Sequence, residues 1–358
     1  MTERRFSDFN YDAAGYERPN HESVEEILAR REELWVPTGF DSKAGEQMLL
    51  VTRTVPDTDT WDPERTAIAR GTAFTDEATR VENGIFDAYI AAATGREVYS
   101  VVAPGVLAKG ERSVPTYDAE TGELIEDLNF GRLFKITPEQ KEGLKKGLFY
   151  KAGGATMKAM ALAQNELNPD NNGKFIASGS SQGAAMMGGG ISHAVENGYV
   201  GVEGVVLSEV VNNKARNPAV LLGQFVAANA DAGGYLAQNP KLLNDVNEGG
   251  VGWFKRSAQS AGANLRYGMA LSRGRFNTDL SDETLSSLSE QGVPFIVTRG
   301  GESKLADEGA HEELLARLRA RNITLLPITH PTGTHGYTMA IRSIADPIER
   351  LKELGNIA

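Results

Sequence analysis

Five residues, Gly179-Ser180-Ser181-Gln182-Gly183, constrain this chain more than any other stretch. They follow Phe175-Ile176-Ala177, which reads as a buried strand, and they lead into residues 183–194, which read as a helix. A strand that passes straight into a helix must reverse in a sharp turn, and the central residue then carries its side chain on the outside of that turn. Gly179 and Gly183 keep side chains out of the crowded turn and let the helix approach the strand. Ser178 and Ser180 lack glycines two positions to each side, so Ser181 is the serine singled out.

The rest of the chain alternates in the same way. Apolar runs at 48–51, 66–69, 98–102, 204–208, 294–298 and 323–326 read as strands, and helical periods at 85–93, 308–320 and 338–354 read as helices. Strand, helix, strand in that order predicts parallel crossovers, hence an α/β fold with a mostly parallel central sheet flanked by helices. Thr137-Pro138-Glu139-Gln140 has the spacing of a helix start with a capping box, and the helix is expected to restart or bend at Gly153-Gly154. Residues 1–40 are expected to form an N-terminal helical arm, on the amphipathic segment 24–30 and the break at Pro37 and Gly39. The core is expected over 41–215 and 291–358, with an inserted loop or ribbon at about 105–136 around the hairpin-like Tyr117 to Leu124. Residues 216–290 show helical periods and no strand, which suits a helical cap.

Composition narrows the chemistry. The 358 residues suffice for one large domain with insertions, and a hydrophobic fraction of 41% permits a sizeable core. A net charge of −11 without a basic stripe argues against a nucleic-acid partner. No apolar run reaches the length of a membrane span and no signal peptide is evident, so the expectation is a cytoplasmic protein. With no cysteine there is neither a disulfide, a thiolate metal site nor a cysteine nucleophile. The histidines are His21, His193, His311, His330 and His335, without the spacing of a metal-binding motif, and no glycine-rich phosphate motif occurs. No metal or cofactor is expected.

With Ser181 in its turn, an acidic turn at Arg299-Gly300-Gly301-Glu302 and a late histidine in Thr334-His335-Gly336-Tyr337, the chain resembles the α/β-hydrolase superfamily over about 65–215 and 290–358. The resemblance implies an α/β-hydrolase fold and a serine hydrolase. Ser181 would be the nucleophile and His335 its base, with His330 as the alternative. The acid would be Glu302, with Asp307 and Glu209 as alternatives. The oxyanion would rest on the backbone N–H of Gln182 and on a second donor, Thr72 or Ala73, in Arg70-Gly71-Thr72-Ala73-Phe74, where many members of the superfamily have a His-Gly pair.

The expected substrate is a small-molecule or lipid-like carboxylic ester with a hydrophobic acyl group, lined by Leu221, Leu222, Phe225, Trp253, Phe254 and Met269. Amide or thioester cleavage and acyl transfer would use the same triad. A homo-oligomer stays open. The rival from a different class is an inactive member of the fold that serves as a binding protein.

Overall fold

The structure, a computed structural model, describes residues 4–5, 31–42, 45–56, 61–71, 77–105, 113–117, 124–129, 135–171, 173–237, 265–339, 341–355 and 357. Its strands are β1 (Arg4–Arg5), β2 (Arg31–Ser42), β3 (Gly45–Thr54), β4 (Ala67–Gly71), β5 (Val98–Val101), β6 (Ser113–Tyr117), β7 (Leu124–Asn129), β8 (Lys174–Ser180), β9 (Gly201–Ser208), β10 (Phe295–Gly300) and β11 (Leu325–His330). The helices are α1 (Glu77–Thr94), α2 (Pro138–Lys145), α3 (Tyr150–Leu167), α4 (Gln182–Asn197), α5 (Pro218–Ala237), α6 (265–271), α7 (Phe276–Asp279), α8 (Asp282–Glu290), α9 (Glu308–Ala320) and α10 (Arg342–Arg350).

All strands except β6 and β7 join one sheet in the order β1-β11-β10-β9-β8-β4-β5-β3-β2. The pairs β2–β3 and β3–β5 are antiparallel, and every other neighbouring pair is parallel. Alternate residues of the central strands enter two apolar clusters. Phe175, Ala177, Val205, Leu207, Phe295 and Val297 face one, while Ile176, Val206 and Ile296 face the other. The first cluster includes Met157 and Met160 of α3, Ala184 and Met187 of α4, and Leu314 and Leu318 of α9. The second holds Ile85 and Tyr89 of α1 with Ile344 and Ile348 of α10. Period-two strands buried on both faces require helices on both sides. The result is the three-layer α/β architecture, with a mostly parallel central sheet, that the alternation predicts.

Three local readings change. Residues 31–40, assigned to a helical arm, form most of β2 instead. β2 is an edge strand, and there a proline costs no ladder hydrogen bond, so Pro37 marks an irregularity in the pairing rather than the end of an element. The amphipathic segment 24–30 lies outside the described residues. The capping box at Thr137 forms as expected, with the Gln140 backbone N–H donating to Thr137 Oγ1, but α2 ends at Lys145. The chain restarts as α3 at Tyr150, a few residues before Gly153 and Gly154, which sit inside that helix. A Cβ on Gly153 would lie 2.1 Å from the Met186 carbonyl oxygen, so the glycine lets α3 and α4 cross with their backbones in contact. The hairpin expected near 117–124 appears as the antiparallel ribbon β6–β7. Between Ser208 and Phe295 the described residues contain helices and no strand.

The register between β8 and β9 shifts by one residue between Phe175 and Ile176. Phe175 faces Val202 and Ile176 faces Gly204, leaving Glu203 as a bulge. From there the ladder runs evenly to its last pair, Ser180 and Ser208.

Candidate active site

The last rung of the β8–β9 ladder sets the site. Because Ser180 pairs with Ser208, Ser181 and Glu209 leave the sheet side by side, and the Ser181 N–H donates to the Ser208 carbonyl oxygen at 3.0 Å. Ser181 has φ 56 and ψ −117, a left-handed conformation that costs a non-glycine residue on the order of 1–3 kcal/mol. The turn is held by close packing. A Cβ at Gly179 would lie 2.5 Å from the Gly183 carbonyl oxygen, and one at Gly71, the neighbour of Gly179 on β4, would meet the same atom at 2.5 Å. Ser181 is 6% exposed, and its hydroxyl has no hydrogen-bond partner among the described residues.

Glu209 also adopts a positive φ, 53, and its N–H donates to Thr298 of β10. Its buried carboxylate accepts hydrogen bonds from the Gly300 N–H and the Ser303 hydroxyl, and it meets His335 Nδ1 at 2.8 Å. A carboxylate at that nitrogen accepts, so Nδ1 carries the proton and Nε2 is left with its lone pair. His335 opens a short 3-10 turn after β11, pinned by Tyr337, whose hydroxyl lies 2.7 Å from Thr298 Oγ1. The ring of Phe225 on α5 stands edge-on to His335 at 6.1 Å.

The carboxylate at His335 is therefore Glu209, the sequence alternative, and not Glu302. Gly300 and Gly301 allow the loop after β10 to pack on the loop after β11, since a Cβ on either would come within 2.3 Å of a backbone oxygen there. The Glu302 N–H then donates to the Gly333 carbonyl oxygen, and its side chain stays exposed. Asp307, the other alternative, caps α9 by accepting from the Ala310 N–H and pairs with Lys214 at 2.8 Å. The Asp307 carboxylate thus makes its bonds away from His335, and the exposed Glu302 side chain makes none with it. One signal for Glu209 was present in the sequence: a lone charge inside the apolar run Val205-Val206-Leu207-Ser208-Glu209-Val210-Val211.

His330, the alternative base, stacks on Tyr337 at 5.7 Å, and burial lowers its pKa below the ordinary histidine value. It makes no hydrogen bond to Glu209. Gln182 opens α4 directly after Ser181, so its backbone N–H belongs to the first turn, where helix amides are unpaired within the helix. Thr72 and Ala73 lie outside the described residues; Gly71, which precedes them, ends β4 in register with Gly179. The Arg70-Gly71 departure has a structural explanation: the Arg70 guanidinium pairs with the buried Asp87 of α1, which also accepts from the Ser100 hydroxyl at 2.7 Å. Of the residues expected to line an acyl pocket, Phe225 abuts His335 and Leu221 is buried, whereas Leu222 and Met269 point outward and Trp253 and Phe254 lie outside the described residues.

No described helix is long and apolar enough to cross a membrane, and no cluster of metal-ligating side chains occurs among the described residues. No protein-family model matches the chain, and no curated protein matches it. Solved structures similar to it include an esterase from Pyrobaculum calidifontis, at 17% identity over 94% of this chain and 89% of that one with a TM-score of 0.48. A malate-bound thermophilic esterase from Thermogutta terrifontis aligns at 13% identity, covering 89% and 99% of the two chains, with a TM-score of 0.47. A serine hydrolase from Cycloclasticus zankles aligns at 12% identity, covering 90% and 98%, with a TM-score of 0.48. With β2-β3-β5-β4-β8-β9-β10-β11 across its sheet and a strained serine between β8 and α4, this chain has the α/β-hydrolase fold.

Proposed function

We propose that the protein is a serine hydrolase that cleaves a carboxylic ester through an acyl-enzyme on Ser181. The observation that carries this reading is the His335–Glu209 pair at 2.8 Å, formed at the same sheet edge as a serine held at positive φ with its hydroxyl unpaired among the described residues. A serine hydroxyl is a weak nucleophile until a base takes its proton. With Nδ1–H committed to Glu209, Nε2 of His335 is the free base and Ser181 its substrate-facing partner, a contact that free enzymes commonly hold loosely until substrate binds.

In the first half-reaction His335 Nε2 accepts the Ser181 proton as Oγ bonds to the ester carbonyl carbon. Glu209 stabilises the imidazolium so formed, and the oxyanion rests on the Gln182 N–H and on a second amide in the loop after Gly71, Thr72 or Ala73. His335 then protonates the leaving alcohol. Water repeats the cycle in the second half-reaction, releasing the acid and restoring Ser181. Phe225 and Leu221 on α5 offer an apolar wall for the acyl chain. In domain terms, α5 and α6 belong to a cap over a core that β2 to β5 and β8 to β11 build.

The test is fluorophosphonate labelling with peptide mapping, paired with hydrolysis of a short nitrophenyl ester. The label is expected on Ser181, and Ser181→Ala is expected to abolish both labelling and turnover. Turnover that survives in Ser181→Ala, or a label elsewhere, would falsify the assignment.

A further inference from the structure

Three carboxamides around the site have no task in the reaction just described. Both side-chain polar atoms of Gln182, of Asn212 and of Asn213 are buried and lack a hydrogen-bond partner among the described residues. Gln182 and Asn212 are 0% exposed and Asn213 is 8% exposed. Gln182 follows the nucleophile. Asn212 and Asn213 lie on the segment 209–217, which starts at the carboxylate bonded to His335 and ends at α5, whose Phe225 abuts the same ring. The backbone of this segment is anchored, since the Asn212 carbonyl oxygen accepts from the Phe276 N–H at 2.9 Å, while the side chains are unmatched.

Folding gains nothing from burying unpaired amides, because a leucine of similar volume would bury there without losing hydrogen bonds to water. We propose that Asn212 and Asn213 recognise a hydroxyl group on the substrate, on its acyl or its alcohol part. Each carboxamide offers a donor and an acceptor. An anion would leave both Oδ1 atoms facing negative charge, and a cation would leave both Nδ2 groups unused. A hydroxyl, neutral, can accept from both Nδ2 groups and donate to one Oδ1, and so uses donors and an acceptor together. Flanking Val210 and Val211 are buried, so the polar group is met inside an otherwise apolar wall. The proposal rests on Ser181 being the nucleophile.

The test compares kcat/KM within two matched pairs of esters. The acyl pair is 4-nitrophenyl butanoate and 4-nitrophenyl 3-hydroxybutanoate; the alcohol pair is propyl butanoate and monobutanoyl glycerol. The hydroxyl-bearing member of one pair is expected to be preferred by at least about tenfold, and the pair that shows it locates the hydroxyl. Asn212→Leu and Asn213→Leu, checked for folding by thermal melting, are expected to bring that ratio toward unity. Equal rates within both pairs for the native protein, whatever the variants do, overturn the proposal, as does a ratio that survives in both folded leucine variants. Ser181→Ala is run on every ester. Turnover that persists there overturns the nucleophile assignment, whereas its loss together with unchanged selectivity overturns only the role of the asparagines.

Discussion

His335 and His193 are both largely buried, both use Nδ1 in a hydrogen bond, and differ in what that nitrogen meets. His335 meets the Glu209 carboxylate at 2.8 Å. His193, in the middle of α4, lies 3.1 Å from the Tyr199 hydroxyl, which in turn donates to the Gly154 carbonyl oxygen at 3.1 Å. The phenol's one proton is thereby committed to Gly154, so His193 Nδ1 must be the donor. Its ring sits among Tyr150, Phe40 and Tyr199 at 5.0, 5.5 and 5.7 Å, and burial, aided by the charge on Lys151, lowers its pKa. Burial around His193 favours the neutral ring, whereas the same nitrogen of His335 meets a carboxylate. A buried histidine is thus no sign of catalysis by itself; the group behind it decides.

The comparison can be broken most severely by deleting each ring. His335→Ala is expected to lower kcat on a nitrophenyl ester by a factor on the order of 10⁵ with little change in melting temperature. His193→Ala should do the reverse, leaving kcat within about threefold while costing about 2 kcal/mol of stability through the cavity left between α3 and α4. A large loss of kcat in His193→Ala, or none in His335→Ala, would invert the assignment.

A finer contrast separates the carboxylates. Glu209→Gln keeps the shape but removes the charge behind His335, and kcat is expected to fall by roughly 10⁴. Glu302→Gln, on an exposed side chain, is expected to change kcat by less than about twofold. Equal effects of the two changes would return the acid to the loop after β10.

The smallest effect concerns a buried ionisable group that takes no part in the proposed reaction, and it should register in stability, not rate. Asp279 of α7 accepts from the backbone N–H groups of Phe149 and Tyr150 at the start of α3. Burial nonetheless pushes its pKa up to about 7, against the pull of those two amides. A carboxyl whose folded pKa lies above its unfolded value binds its proton more tightly in the native state. Its contribution is therefore complete at acid pH and is lost as pH rises from about 4 through about 7, on the order of 4 kcal/mol across the window. Melting temperatures of the native protein should fall between pH 5 and pH 8, and Asp279→Asn should flatten that slope. An identical slope in the variant would show that other groups set it.

Much of this arrangement is legible in the amino-acid sequence because some residues have few alternatives. A serine between glycines, a strand before it and a helix after it leave one geometry, and the late His335 follows the last strand as the resemblance implies. Glu209 was harder to rank, since its competence depends on a hydrogen-bond donor from Gly300 and another from Ser303, both some ninety residues later in the chain. Glu302 was favoured by position, and the backbone packing that turns it outward involves Gly333, which no local pattern reveals. Pro37 suggested a break because a proline's tolerance depends on whether a strand is at an edge, a property of the assembled sheet. The unmatched amides of Asn212 and Asn213 are likewise invisible in sequence, since satisfaction is a statement about neighbours.

The bulge at Glu203 reaches further than its place at the far end of the ladder suggests. Its single extra residue offsets β9 against β8, and every rung beyond inherits the offset up to Ser180 and Ser208. Were Glu203 to pair with Ile176 so that the ladder ran on without a bulge, Ser181 would come level with Ser208, and Glu209 with Gln182. Glu209 would slip by one residue and, with the pleat, to the other side of the sheet. The alignment of Ser181 and Glu209 is in effect a count kept at the opposite edge of the fold, where the Glu203 carboxylate is clasped by Thr66 and Lys174. Insertions and deletions should therefore be far less tolerated between Gly204 and Ser208 than in the loops around the site, although none of those strand residues before Ser208 needs to touch a substrate.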